Sequence, residues 1–172
     1  MMNRIGLFYA STTGNTETVA EQIAGLIDKD VLEMHNIAAE GVSRISDYRY
    51  LIMGISTWDF GELQEDWDAE WAALSSIDFT GRKVALFGLG DQIGYGEWFL
   101  DAMGQLAELV TERGGELVAP WPTAGYEFEQ SKALSAAGDS FVGLAIDEDA
   151  QPAETAGRLE RWVPEVLVAF DV

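Results

Sequence analysis

Apolar and polar positions follow two rhythms that alternate along the chain. Residues 5–10 are a short apolar run ending in a Ser/Thr/Gly cluster, which predicts a buried strand. Residues 16–28 come next, with Val19, Ala20, Ile23, Ala24 and Ile27 at helical spacing. The same pattern predicts strands over 31–37, over 50–55 (stopped by Ser56-Thr57) and over 83–89 (ended by Gly90-Asp91). It predicts helices over 63–74 and 97–113, the second stopped by Gly114-Gly115. Residues 116–120 start a fifth strand that 141–146 can continue. Residues 153–170 close the chain as a helix that Pro164 should kink or restart.

Five strands alternating with helices imply an α/β fold with a doubly wound parallel sheet. Runs such as Leu51-Ile52-Met53 and Val84-Ala85-Leu86-Phe87 suit strands covered on both faces. With no repeat or linker in view, residues 1–172 read as a single domain. Right-handed crossovers gather the strand C-termini on one edge, where ligands bind at the switch point. Loops 11–16, 56–62 and 89–97 should therefore converge in space.

Composition narrows the chemistry. A chain of 172 residues buries roughly 70% of the surface its unfolded form exposes. With no cysteine there is no disulfide, thiol pair or cysteine-held iron–sulfur cluster. One histidine, His35, makes no histidine-rich metal site; in its strand-like run it reads as a surface or edge residue. The acids Glu65, Asp66, Asp68 and Glu70 scatter around a helical turn and read as a solvated face, so no metal site is expected. Trp67, Trp71, Trp121 and Trp162 read as packing residues. Ten basic and 30 acidic residues give a net charge of −20. That charge disfavours nucleic acid and anionic membranes and favours a basic partner. No run approaches the ~20 apolar residues of a membrane span, and no secretory signal pattern is visible, so the expected location is the cytoplasm. Any redox chemistry falls to an organic cofactor.

The first loop, Ser11-Thr12-Thr13-Gly14-Asn15-Thr16, stands directly before a predicted helix. A helix N-terminus offers unpaired N–H groups and a positive dipole end, which together bind anions. It lacks the lysine of a nucleotide-hydrolysing P-loop and is not a Gly-x-Gly-x-x-Gly fingerprint. One hydroxyl would suffice for a helix cap, so four in six residues point to a phosphate monoester. The second loop, Ser56-Thr57-Trp58-Asp59-Phe60-Gly61-Glu62, and the third, Gly88-Leu89-Gly90-Asp91-Gln92-Ile93-Gly94-Tyr95-Gly96-Glu97, carry aromatics outside strand ends. Trp58 and Tyr95 could sandwich a flat ring, or pack locally against their own loops.

These three loops, in this order, resemble the FMN loops of flavodoxin. Residues 125–133 resemble the insertion that splits the last strand in the long-chain group, and residues 141–149 resemble the segment just after that insertion. The flavodoxin strand order is 2-1-3-4-5, with FMN at the switch point. The resemblance implies that residues 11–16 hold the FMN phosphate and that Trp58 and Tyr95 stack on the inner and outer faces of the flavin. Thr57, Asp59, Gly61, Leu89, Gly90 and Asp91 would meet the ring edge; Ser56 and Phe60 belong to the same loop, and Asp149 matches a position near the cofactor. It also implies a monomeric, low-potential one-electron carrier working between FMN semiquinone and hydroquinone, not an enzyme. Its partners would be basic redox proteins such as a flavodoxin/ferredoxin-NADP reductase, and low-potential acceptor enzymes. The peptide that turns to accept a hydrogen bond from flavin N5, worth about 1 kcal/mol, would be Asp59–Phe60.

Two departures stand out: Asp59, where the family often has Asn or Gly, and the pair Gly96 and Trp98 after Tyr95, where more polar residues are usual. Carboxylates at Asp59, Glu62, Asp91 and Asp149 would disfavour a reduced, anionic flavin. Two other readings stay open. An FMN-dependent NAD(P)H:quinone reductase needs free access to the ring, which Trp58 and Tyr95 oppose. A phospho-acceptor domain needs acids where this chain has Ser11-Thr12 and Ser56-Thr57.

Overall fold

In the computed structural model, which describes residues 4–172, strand β1 (Ile5–Tyr9) is buried at every position. It feeds helix α1 (Asn15–Gly25), which turns Thr16, Val19, Ala20 and Ile23 inward. Strand β2 (Leu32–Asn36) and a single turn, α2 (Ile37–Glu40), lead to strand β3 (Tyr50–Trp58). A short strand, β4 (Glu62–Leu63), folds back antiparallel on the end of β3 before helix α3 (Glu65–Leu74). Then come β5 (Lys83–Leu89), α4 (Asp101–Glu112) and β6 (Glu116–Val118). The insertion forms an antiparallel pair, β7 (Trp121–Pro122) with β8 (Ser140–Phe141), before β9 (Leu144–Ile146) and the final helix α5 (Thr155–Phe170).

The main sheet runs β2-β1-β3-β5-β6 and these pairings are parallel. β6 pairs with Lys83–Ala85 and β9 with Phe87–Leu89, so the fifth strand is split in two around the insertion. The expected order 2-1-3-4-5 and the split last strand are both observed. Two glycines set the spacing. A Cβ on Gly54 of β3 would lie 2.0 Å from the Phe87 ring, and one on Gly143, before β9, 2.2 Å from the Leu86 carbonyl. Trp67 and Trp162 are fully buried, and each indole N–H finds a carbonyl: Gly54 at 3.0 Å and Ala119 at 2.9 Å.

Several boundaries differ from the sequence reading. β3 continues to Trp58, because Ser56 still pairs with Leu89 and β4 backs Thr57 and Trp58. The helix expected from 63 starts at Glu65; Gln64 caps it by accepting the N–H groups of Asp66 (3.0 Å) and Trp67 (3.2 Å). The helix expected from 97 is a 3-10 turn (Gly96–Trp98) followed by α4. Between them Leu100 has φ 60°, a costly left-handed backbone that its complete burial sustains. α5 runs unbroken through Pro164. The Glu160 carbonyl that the proline leaves unpaired lies on the exposed face, where water can serve it. His35 is no surface residue: it is 2% exposed, stacked on Phe8 at 4.6 Å, with Nε2 2.7 Å from the Tyr48 hydroxyl and Nδ1 2.9 Å from Glu40. It does lie on an edge strand, but the residues after β2 fold over it.

Two phenols, Tyr48 buried and Tyr126 half-buried, make alkaline stability testable. Burial pushes Tyr48 and Tyr126 up to about 12. Unfolded, both ionise near 10, so above that pH the unfolded chain sheds protons that the folded one keeps. Stability is therefore insensitive to these groups below pH ~10 and falls as pH rises toward 12, by on the order of 3 kcal/mol for each. Denaturant titrations across that window measure the slope, and Tyr126→Phe should remove about half of it.

Candidate cofactor site

The C-terminal ends of β1, β3 and β5 open onto a cleft of about 390 Å³. Thr12, Thr13, Asn15 and Thr16 line it from the first loop, Ser56, Thr57, Trp58 and Asp59 from the second. Leu89, Gly90, Asp91, Tyr95 and Trp98 line it from the third, and Asp149 from the turn after β9. The three loops thus converge. Four of the residues expected to contact the cofactor do not line the cleft. Ser11 accepts the Gly14 N–H at 3.0 Å and shapes the first loop; Gly14 itself, at φ 94°, is the residue before α1. Phe60 is 67% exposed and stands edge-on to Trp98 at 4.9 Å. Gly61 is buried behind the loop at φ 90°, where a Cβ would come 2.8 Å from the Asp101 carboxylate.

The N-terminus of α1 bears on the two roles open to the first loop. No side chain caps it, although the loop is rich in hydroxyls. A role for these residues as ordinary caps is therefore not realised, and the first-turn N–H groups stay available at the edge of the cleft. Thr16 is 2% exposed, while Thr12 accepts the Gln64 side-chain amide at 3.1 Å. Gln64 thus ties the first loop to the start of α3.

The second loop is held from below. The Thr57 hydroxyl accepts the Ala102 N–H at 3.0 Å, and the Gly61 carbonyl accepts the Gln105 amide at 3.0 Å, so α4 grips both ends of the turn. The Trp58 indole N–H donates to Ser56 at 3.0 Å, which orients the half-buried ring. Asp59 has φ 44°, a left-handed backbone that Asp tolerates better than most side chains. In the third loop, Asp91 Oδ1 accepts the N–H groups of Ile93 (3.0 Å) and Gly94 (2.8 Å) and closes the turn before Tyr95.

The lining holds three carboxylates, Asp59, Asp91 and Asp149, and no lysine or arginine. Glu62, counted with them from the sequence, lies in β4 outside the lining. Burial, followed by the charges of Asp91, Asp147 and Glu148, holds the Asp149 carboxyl above the usual range. Behind the second loop, burial also raises Asp101, partly offset by the Lys132 N–H that it accepts at 2.8 Å. Among the described residues, no group of three or more His, Asp or Glu side chains is placed to hold a metal ion. No helix among them is long and apolar enough to cross a membrane.

Sequence reasoning missed Trp98 as a cleft residue, and Gln64, Gln92, Asp101 and Asp147 as its supports. For Trp98 a signal existed, an unexpected tryptophan three residues after Tyr95. The buried polar residues gave none, since each also has a partner far away along the chain.

A doubly wound sheet of this order, with an uncapped helix N-terminus and two aromatic loops at its switch point, defines a protein of the flavodoxin type. The flavodoxin family profile matches residues 7–162, and the chain belongs to that family. It is 50% identical over 161 residues to flavodoxin 1 of Escherichia coli (strain K12), covering 94% of this chain and 91% of that one. It is 46% identical over 170 residues to the flavodoxin of Nostoc sp. (strain PCC 7120), covering 99% of both. The crystal structure of Fusobacterium nucleatum flavodoxin bound to flavin mononucleotide is similar with a TM-score of 0.91 at 34% identity, over 98% of this chain and 99% of that one. The length and the β7–β8 insertion place the chain in the long-chain group.

Proposed function

We propose that this chain binds FMN in the cleft and works as a low-potential electron carrier through the residues that line it. The single observation that carries the assignment is the uncapped α1 N-terminus facing the same cleft as Trp58 and Tyr95. The donor set fits the cofactor: amides and hydroxyls without a cation suit a phosphate monoester, and the apolar aromatics suit a flat ring. A volume of about 390 Å³ falls in the range of small-molecule sites.

Residues 11–16 hold the phosphate, with Ser11 and Gly14 shaping the loop and Thr12, Thr13, Asn15 and Thr16 donating. Trp58 and Tyr95 flank the ring; Thr57, Asp59, Leu89, Gly90 and Asp91 border its edge, with Ser56, Phe60 and Gly61 supporting the turn and Asp149 nearby. When bound, FMN supplies one-electron chemistry, and the protein sets its energy. Asp59, Asp91 and Asp149 disfavour extra negative charge in the cleft, by ~0.4–1.7 kcal/mol for each charge about 10 Å away. The α1 N-terminus acts on the phosphate, not on the ring, and does not cancel this field.

The chain acts as a monomeric single domain in the cytoplasm; one main sheet carries the whole cleft, and a net charge of −20 sets repulsion between copies. Its partners are redox proteins with basic docking faces. Electron transfer to such a reductase should slow several-fold between low salt and about 0.5 M salt, as the screening length drops from about 30 Å toward 3 Å. Stopped-flow rates across that series test the steering. The FMN-loaded protein mixed with NADPH and a quinone, without a reductase, separates a carrier from a quinone reductase: the carrier gives no turnover.

A further inference from the structure

Asp147 is fully buried at the end of β9, two residues before Asp149. Among the described residues no ion pair includes it. Its partners are N–H donors. Oδ2 accepts the Gln92 backbone N–H at 3.0 Å and the Gln92 side-chain amide at 2.8 Å. Oδ1 accepts the N–H groups of Asp149 at 3.0 Å and Ala150 at 2.8 Å. Burying a carboxyl group is costly, and four N–H donors to its two oxygens offset that cost.

The four donors come from two segments, and each segment carries an acid into the cleft: Asp91 on one side, Asp149 on the other. A third segment joins them. Gln92, 3% exposed, turns its carbonyl oxygen to the N–H of Glu127 in the insertion. Next to it, the Tyr126 hydroxyl donates to Ala145 at 2.6 Å, on the strand that leads to Asp147. A side chain that only filled space here would be apolar. A saturated anion, by contrast, fixes the directions of every N–H aimed at it.

We propose that Asp147 is a positioning residue for the third loop. Its buried charge locks Gln92 against the 147–150 turn, sets Asp91 and Asp149 across the cleft, and adds a fixed negative charge behind them. Asp147 does not line the cleft, so it acts through these neighbours and through its field. The proposal rests on the FMN reading for its effect on potential, but the lock itself exists without cofactor.

Two variants separate the parts. Asp147→Asn removes the charge while keeping shape and one acceptor. Gln92→Leu keeps the charge and removes one donor together with the Glu127 contact. Amide hydrogen exchange in the FMN-free chain, FMN titration and potentiometry are measured for both. In Asp147→Asn, exchange at Gln92, Asp149 and Ala150 should speed up at least tenfold, and FMN affinity should fall about tenfold. Its more negative one-electron potential should rise by about fivefold in the corresponding constant, ~40 mV. Gln92→Leu should speed exchange at Gln92 and Glu127 and weaken FMN similarly, while moving the potential less than half as far. Wild-type exchange in both variants overturns the lock, and an unshifted or lowered potential in Asp147→Asn overturns its electrostatic role. If Asp147→Asn does not fold, unchanged exchange and affinity in Gln92→Leu overturn the proposal on their own. If the unmodified chain binds no FMN, the functional reading falls, while the exchange data still decide the lock.

Discussion

Replacing Trp58 by alanine should weaken FMN binding by about 5- to 150-fold while leaving the FMN-free fold nearly as stable as before. The magnitude comes from the ~1–3 kcal/mol that a stacked aromatic contributes against a heterocycle, with tenfold in affinity for every 1.4 kcal/mol. Trp58 is half-buried, and its indole bonds only to Ser56 of its own loop, so little of the core depends on it. Tyr95→Ala should lose less, because Tyr95 is 43% exposed and covers the ring from the solvent side. Quenching of flavin fluorescence during titration gives both constants. Equal affinity for Trp58→Ala and the unmodified chain would place the ring elsewhere.

Trp67→Ala should produce the largest loss of stability, about 3–5 kcal/mol, a large part of what holds a domain of this size together. Its ring is fully buried, and removing it also removes the indole N–H that the Gly54 carbonyl in β3 accepts. The backbone N–H of residue 67, which alanine keeps, is one of the two that Gln64 caps, so a cavity that shifts the α3 start loosens the Gln64 contact to Thr12. The variant should therefore bind FMN more weakly even where it remains folded. Urea unfolding followed by tryptophan emission, with the midpoint compared at constant slope, gives the stability loss.

The strands that form the sheet centre were legible because two-sided burial writes itself as a local pattern. All five positions of β1 and six of the seven in β5 are buried, and both stand out as apolar runs. The loops were legible for the opposite reason: Trp58 and Tyr95 sit where a soluble loop has no use for a large ring. The hidden features depend on partners distant in sequence. Gln64 meets Thr12 across 52 positions and Gln92 meets Asp147 across 55, and neither glutamine has a local signature. His35 lies on an edge strand, as expected, but not at the surface: polarity there suggests solvent, whereas Phe8, Tyr48 and Glu40 together enclose it. Leu100 hid the true start of α4, since a leucine inside a helical pattern gives no sign of a left-handed backbone.

The net charge of −20 takes on a sharper meaning in the structure. It is not only spread over the surface: three carboxylates line the cleft, and Asp147 lies behind two of them. Potentiometric titration of the FMN-loaded chain reads the effect of these carboxylates on the flavin. With three charges at about 10 Å, the more negative one-electron potential should lie below that of free FMN by on the order of 100 mV. A potential equal to that of free FMN, or above it, would contradict the account of this cleft as the site of a low-potential carrier.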